Sequence, residues 1–372
     1  MALQSKMATV ESSGVERGAV ARTRMASLDV VRAFAIFLVV MLHSASPVMY
    51  QITSTPEVVW NMHNLIDSAA RICVPLFFMV SGYLLLAPTP TNDTEPFRDV
   101  RKRLPKLLVP LITWGVIYRL EIAYVNGRWP TLNDVFFALR DMTQGALVYH
   151  LWFLYGLAAI YLLLPLLRRL FKDTDRPAIY FFGLWLVLLT GRFLSALTGW
   201  GFPLATYLNF ASAGYLVAGH LVRRYSPSPS PSLAAIAFAA YVFMVVVTTW
   251  MTGLYSKGAG TYIEIFHVYA TPNVVIMSVS AFLVLLYAAN KLELSSPTLM
   301  RFFAGISACS FGIYLVHVLF LEFVSYNILG RPATSAVDAM FGISMTAIST
   351  LATCFVATWL LRLTPFTRWL AP

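Results

Sequence analysis

The stretch from Asp29 to His43 reads DVVRAFAIFLVVMLH, with three ionisable side chains set among apolar ones. A guanidinium holds anions, and an imidazole takes or gives a proton near neutral pH. Arg32 and His43 are 11 positions apart. On an α-helix that spacing puts both on one face, about 16 Å apart along the axis. Asp29 lies three residues before Arg32, where it can pair with it. Inside a membrane, ionisable groups face a bundle interior or a wet cavity, so one stripe of this helix would line a path through the bilayer. The alternative is interfacial: Arg32 snorkels to the head groups and His43 closes the far end of the helix.

Further along, RDVRKRLPK (98–106) sets Arg98, Arg101 and Arg103 among other cations. Guanidinium forks of this kind grip phosphates, and equally they are the cationic flank of a membrane span. Before it, VPLFFMVSGYLLL (74–86) brings Pro75, which loosens a helix, and the small Ser81-Gly82 step before Tyr83, which lets helices approach closely. His317 follows Tyr314 in SFGIYLVHVLF (310–320). Arg119 and Glu121 fall in one apolar span two positions apart, on different faces, so each is expected to pair with another span. His150 with Trp152 reads as an interfacial belt, His63 with Asp67 as a solvated loop pair, and His220 as interfacial. Glu264 and His267, in EIFH, do not form a metal motif in this setting.

The elements that must position these residues are apolar helices. The chain is 372 residues long, 58% hydrophobic and 12% charged, with a mean hydropathy of +0.70. Soluble domains carry about 25% charged residues. The fold class is therefore all-α integral membrane. Ten spans are predicted, at 29–47, 70–88, 107–125, 148–167, 178–196, 205–222, 233–252, 271–290, 302–323 and 337–361. With the N-terminus in the cytoplasm, most of the 27 Lys and Arg residues fall in cytoplasmic segments. This assigns N-in/C-in and accounts for the net charge of +10 without nucleic acid. Residues 1–26 read as a disordered cytoplasmic tail, 27–363 as one ten-helix domain and 364–372 as a short cytoplasmic tail. SPSPSPS (226–232) is an extended cytoplasmic spacer. The three cysteines all lie in apolar spans and imply no disulfide framework.

In this order, SLDVVRAFAIFLVVMLH (27–43), VPLFFMVSGYLLL (74–86), RDVRKRLPKLLVP (98–110), HLWFLYGLAAIYLLLPLLRR (150–169) and SFGIYLVHVLF (310–320) resemble the acyltransferase-3 family of membrane acyltransferases. The resemblance is closest to the branch that O-acetylates surface glycans, which includes the enterobacterial-common-antigen O-acetyltransferase. It covers residues 27–361 and implies an enzyme of the bacterial inner membrane. Such an enzyme moves an acetyl group from cytoplasmic acetyl-CoA to a hydroxyl of an extracytoplasmic or lipid-linked glycan, with no metal. It implies His43 as the central catalytic histidine, with Arg32 as its partner on the same helix. Asp29 anchors Arg32, and His317 lies in the family's YLxH element. Arg98, Arg101 and Arg103 are expected at the donor's phosphates, with Ser81 and Tyr83 beside the donor.

A sugar hydroxyl is a poor nucleophile at neutral pH. A neutral imidazole can accept its proton as it attacks a thioester, or can carry the acyl group itself. Another class also fits intramembrane Arg, Glu and His: a proton-coupled transporter or polysaccharide exporter. Such a carrier has no need of the basic cluster or of the Arg32–His43 spacing.

Overall fold

The computed structural model describes residues 2–87, 95–202, 212–328, 333–365 and 367–371, and among them it contains helices and no strands. The twelve α-helices are α1 (Ala2–Met49), α2 (Glu57–Ala70), α3 (Cys73–Leu85), α4 (Arg98–Val125), α5 (Leu132–Gln144), α6 (Trp152–Leu170), α7 (Arg176–Thr198), α8 (Ala213–Tyr225), α9 (Pro231–Ala259), α10 (Pro272–Ser295), α11 (Pro297–Ile328) and α12 (Ala336–Leu363). Nine segments among the described residues are long and apolar enough to cross a membrane. They match nine of the ten predicted spans. The tenth, 205–222, is described from residue 212 on and is helical there as α8; its earlier part lies outside the described residues. The membrane part of α1 begins at Ala26, and the polar stretch before it continues as helix from Ala2.

Local chemistry sets the helix ends. Ser230 accepts a hydrogen bond from the Leu233 amide, and Pro231 follows it in the first turn of α9. The serine-proline spacer thus ends as a helix cap. Ser335 caps α12 in the same way, and Thr131 with Asp134 forms a capping box on α5. The predicted second span starts earlier than its apolar run suggests and is broken in two, α2 and α3, at Arg71-Ile72. Pro75 sits in the first turn of α3, where its missing amide donor costs no helical bond.

α1 is the central post, packing against α2, α3, α10, α11 and α12. In the apolar windows, 78% of α2–α3 and 61% of α1 and α11 is buried, against 22% of α7 and α9, which therefore present their side chains to lipid. α3 and α8 approach backbone to backbone. A Cβ on Gly82 would collide with the Leu216 carbonyl, and one on Gly219 with the Met79 carbonyl. The start of α7 and the end of α8 meet, with Arg224 Nε donating to Asp175 at 2.9 Å.

The short amphipathic helix α5 folds back onto α4. Arg119 lies 3.4 Å from Asp141 and 3.9 Å from Asp134. Its partners are therefore on this amphipathic helix and not on another span, as its position in the third span suggested. Arg128 forks onto Asp134 at 2.6 and 2.8 Å, and together with the Thr131 hydrogen bonds it holds that carboxyl well below the usual carboxylate range.

Candidate active site

α1, α11 and the short 3-10 turn Tyr149–Leu151 ahead of α6 bring three histidines together. The rings of His43 and His317 are 5.2 Å apart, and those of His150 and His317 are 5.0 Å apart. Tyr149 packs 5.1 Å from His43, and Tyr118 packs 5.2 Å from His150. The Tyr314 hydroxyl donates to the His150 carbonyl, and the Tyr118 hydroxyl donates to the Leu315 carbonyl at 2.8 Å. The turn, α4 and α11 are thereby tied together around the rings.

His43 is partly accessible, whereas His150 and His317 are 3% and 0% exposed. His317 Nδ1 lies 2.7 Å from the Tyr314 carbonyl. A carbonyl only accepts, so Nδ1 carries the proton, and Nε2 of the neutral ring is left as an acceptor. That Nε2 and both ring nitrogens of His150 have no hydrogen-bond partner among the described residues. Buried polar atoms are almost always paired, so three such nitrogens beside one accessible imidazole mark a place built for something other than packing. Among the described residues no group of His, Cys, Asp or Glu converges to hold a metal ion.

A cavity of about 400 Å³ lies beside this cluster, toward the start of α4. Arg32, Arg103 and Lys106 line it along with Ser81 and Ser307, and Phe77, Phe153 and Tyr314 also form part of its wall. Tyr314 is shared by the cavity and the histidine cluster, with its ring 5.9 Å from that of His317. Tyr314 and His317 therefore stand in sequence between the basic cavity and His43. Asp29 stands at its lower end. It accepts from Arg32 Nη1 at 3.5 Å and from Ser307 Oγ at 2.7 Å, which orients the guanidinium and pins α1 to α11.

The residues expected from sequence divide accordingly. His43 and His317 meet, and Arg32, Ser81 and Arg103 share one cavity wall, with Asp29 behind Arg32. Arg98 and Arg101 lie at the start of α4 and are not part of that wall; Arg101 is 73% exposed and 4.0 Å from Glu95. Tyr83 is buried on a different side, with its ring 6.2 Å from Phe282 and its carbonyl accepting from Arg223.

The structure adds His150, Tyr118, Tyr149, Lys106 and Ser307. His150 is not a belt residue, because the turn before α6 folds it inward beneath Tyr118 and Tyr314. A histidine beside a tyrosine at the head of an apolar span was the signal available in the sequence. His63 and Asp67 are likewise no solvated pair; they are 7% and 0% exposed, because α2 packs against α1, α9 and α12.

Asp67 belongs to a second polar group, beyond the His43 end of α1. Arg71 holds Asp67 at 2.8 Å, and Ser46 Oγ, one turn beyond His43, donates to Asp67 at 3.2 Å. Arg71 Nη2 donates to the Tyr262 hydroxyl at 3.3 Å. That hydroxyl is 2.6 Å from His267 Nδ1, and His267 Nε2 is 2.9 Å from Ser68 Oγ. The donors fall in one order, Arg71 to Tyr262 to His267 to Ser68, if His267 is neutral with its proton on Nε2. Burial, with the Arg71 guanidinium adding to it and Asp67 opposing, pushes His267 down to about 3 and keeps it neutral.

No curated protein and no solved structure matches this chain significantly. The family model described as an acyltransferase domain, of the acyltransferase-3 type, matches residues 25–362, a range that holds both the histidine cluster and the basic cavity. The chain belongs to the acyltransferase-3 family and is a multi-pass membrane acyltransferase.

Proposed function

We propose that this protein is an O-acetyltransferase of a bacterial inner membrane. It takes an acetyl group from acetyl-CoA on the cytoplasmic side and places it on a hydroxyl of an extracytoplasmic or lipid-linked glycan. The observation that carries this reading is that the basic cavity and the histidine cluster share Tyr314 as a wall. A polyanionic donor with a long thioester arm needs cations at the entrance and a narrow path to the reacting group, and Arg32, Arg103 and Lys106 stand at the wall that leads to Tyr314.

His43 accepts the proton of the attacking hydroxyl, or first takes the acetyl group as an acyl-imidazole. In direct transfer the hydroxyl oxygen bonds to the thioester carbonyl carbon and the carbon–sulfur bond breaks. The proton then passes from the imidazole to the departing thiolate. His317 positions His43 by ring contact and offers its unprotonated Nε2 to the same space. Membrane lipid surrounds α7 and α9, and the acceptor reaches His43 from the side opposite the basic cavity.

The test is transfer of radiolabelled acetyl from acetyl-CoA to glycan or lipid-linked sugar by inverted membrane vesicles carrying the protein. Labelled product is expected with the wild type and none with His43→Ala at equal protein level. Movement of a solute without labelling of any acceptor would replace this reading with that of a carrier.

A further inference from the structure

A second cavity, of about 590 Å³, lies on the adjacent face of α4 and is lined by Pro105, Lys106, Val109, Pro110, Arg362, Arg368 and Trp369. Three of these are cations, and none is acidic. Lys106 belongs to both cavities. Arg362 of the second cavity donates at 2.6 Å to the carbonyl of Ala308, which lines the first. The two spaces therefore share a wall made of one lysine side chain and one arginine–carbonyl contact.

The segment that supplies Arg368 and Trp369 is built into the bundle. Trp114 Nε1 donates to the Leu370 carbonyl at 2.9 Å. Ala371 is 1% exposed, and a Cβ on Gly312 would lie 2.9 Å from its methyl group. The Thr367 hydroxyl donates to the Leu361 carbonyl at 2.6 Å, which turns the chain back after α12. These anchors hold Trp369 at the cavity edge with 44% of its surface open.

We propose that this second cavity binds the phosphorylated nucleotide end of the acyl-CoA donor, with Lys106, Arg362 and Arg368 on phosphate and the Trp369 indole stacked on the base. The smaller cavity then takes the thioester arm. The inference rests on the acyl-CoA reading above and deepens it. Cations in an unopposed group select phosphate, and an exposed indole beside them adds a face for an aromatic ring. An anionic phospholipid head group presents the same phosphate chemistry without the base or the arm.

The experiment is calorimetric titration of the full-length protein in nanodiscs with coenzyme A, 3′-dephospho-coenzyme A and S-acetyl-pantetheine. Wild type, Arg368→Gln, Arg368→Lys and Trp369→Ala are compared, in discs of neutral and of anionic phospholipid. Arg368→Gln is expected to weaken coenzyme A by about tenfold, the loss of a charge-assisted contact, and to leave S-acetyl-pantetheine unchanged. Arg368→Lys should recover part of that loss. Trp369→Ala should weaken both nucleotide ligands and spare the truncated one. Unchanged coenzyme A affinity in Arg368→Gln and Trp369→Ala would overturn the subsite. So would a change only in the retention of anionic lipid, which would assign the cavity to a head group. A wild type that binds no coenzyme A at all would instead overturn the acyl-CoA reading on which the subsite rests.

Discussion

The imidazoles of His43 on α1 and His317 on α11 lie 5.2 Å apart with their planes tilted by 31°, yet only the first is partly open. The proposed mechanism therefore gives the two rings different tasks. His43→Ala is expected to lower acyl transfer by about a hundredfold or more, the usual contribution of a general base. His317→Gln should cost less, because it alters the placing of His43 and leaves the reacting ring intact. Rates from vesicles matched for inserted protein check the order of the two effects; equal losses would make His317 a second reacting group.

Arg103 lines the cavity, whereas Arg98 and Arg101 lie at the start of α4, outside its wall. Arg103→Ala is expected to raise the acetyl-CoA concentration for half-maximal rate by about tenfold. Arg98→Ala with Arg101→Ala should raise it less, as charges acting through solvent. Initial rates over a donor titration separate the cases, and the reverse order would move the cationic contact with the donor to the helix start.

Gly82 and Gly219 make α3 and α8 touch through their backbones. Gly82→Ala forces the helices apart and is expected to destabilise the protein by about 1–3 kcal/mol. Thermal unfolding in detergent measures it. Ser81, the neighbour of Gly82, lines the cavity proposed for the donor, so the same variant should also weaken donor binding.

The second polar group, around Asp67 and His267, predicts an acid sensitivity. His267 faces Tyr262, Ser68, Arg71 and Asp67, and it stays neutral in the folded chain down to about pH 3. In the unfolded chain it protonates near its ordinary value of about 6.5. The unfolded state thus binds the extra proton as pH falls from about 6.5 toward 3, and stability drops over that window. His267→Gln can still accept from Tyr262 and donate to Ser68 without titrating. Its melting temperature should fall less than that of the wild type between pH 7.5 and pH 5. An equal fall would place the sensitivity elsewhere.

Much of this was legible in the chain because bilayer physics writes itself into composition: span-length apolar runs and the skew of Lys and Arg gave the class and the order of helices. The Arg32–His43 spacing placed both on one stripe, since the helical period alone decides that. What escaped was whatever depends on how helices meet. His150 and Asp67 read as peripheral because they flank apolar runs, and only the inward folding of the turn before α6 and of α2 buries them. Of Arg98, Arg101 and Arg103, expected together at the donor's phosphates, only Arg103 lines the cavity, because its wall is set by which face of α4 turns toward α1 and α11.

The Asp175–Arg224 pair has a further consequence for experiment. It joins the residue from which α7 departs to the one at which α8 arrives, so the chain comes home to the compartment it left. A cysteine label in the serine-proline spacer and one just ahead of α7 should therefore react with the same impermeant reagent, added from the same side.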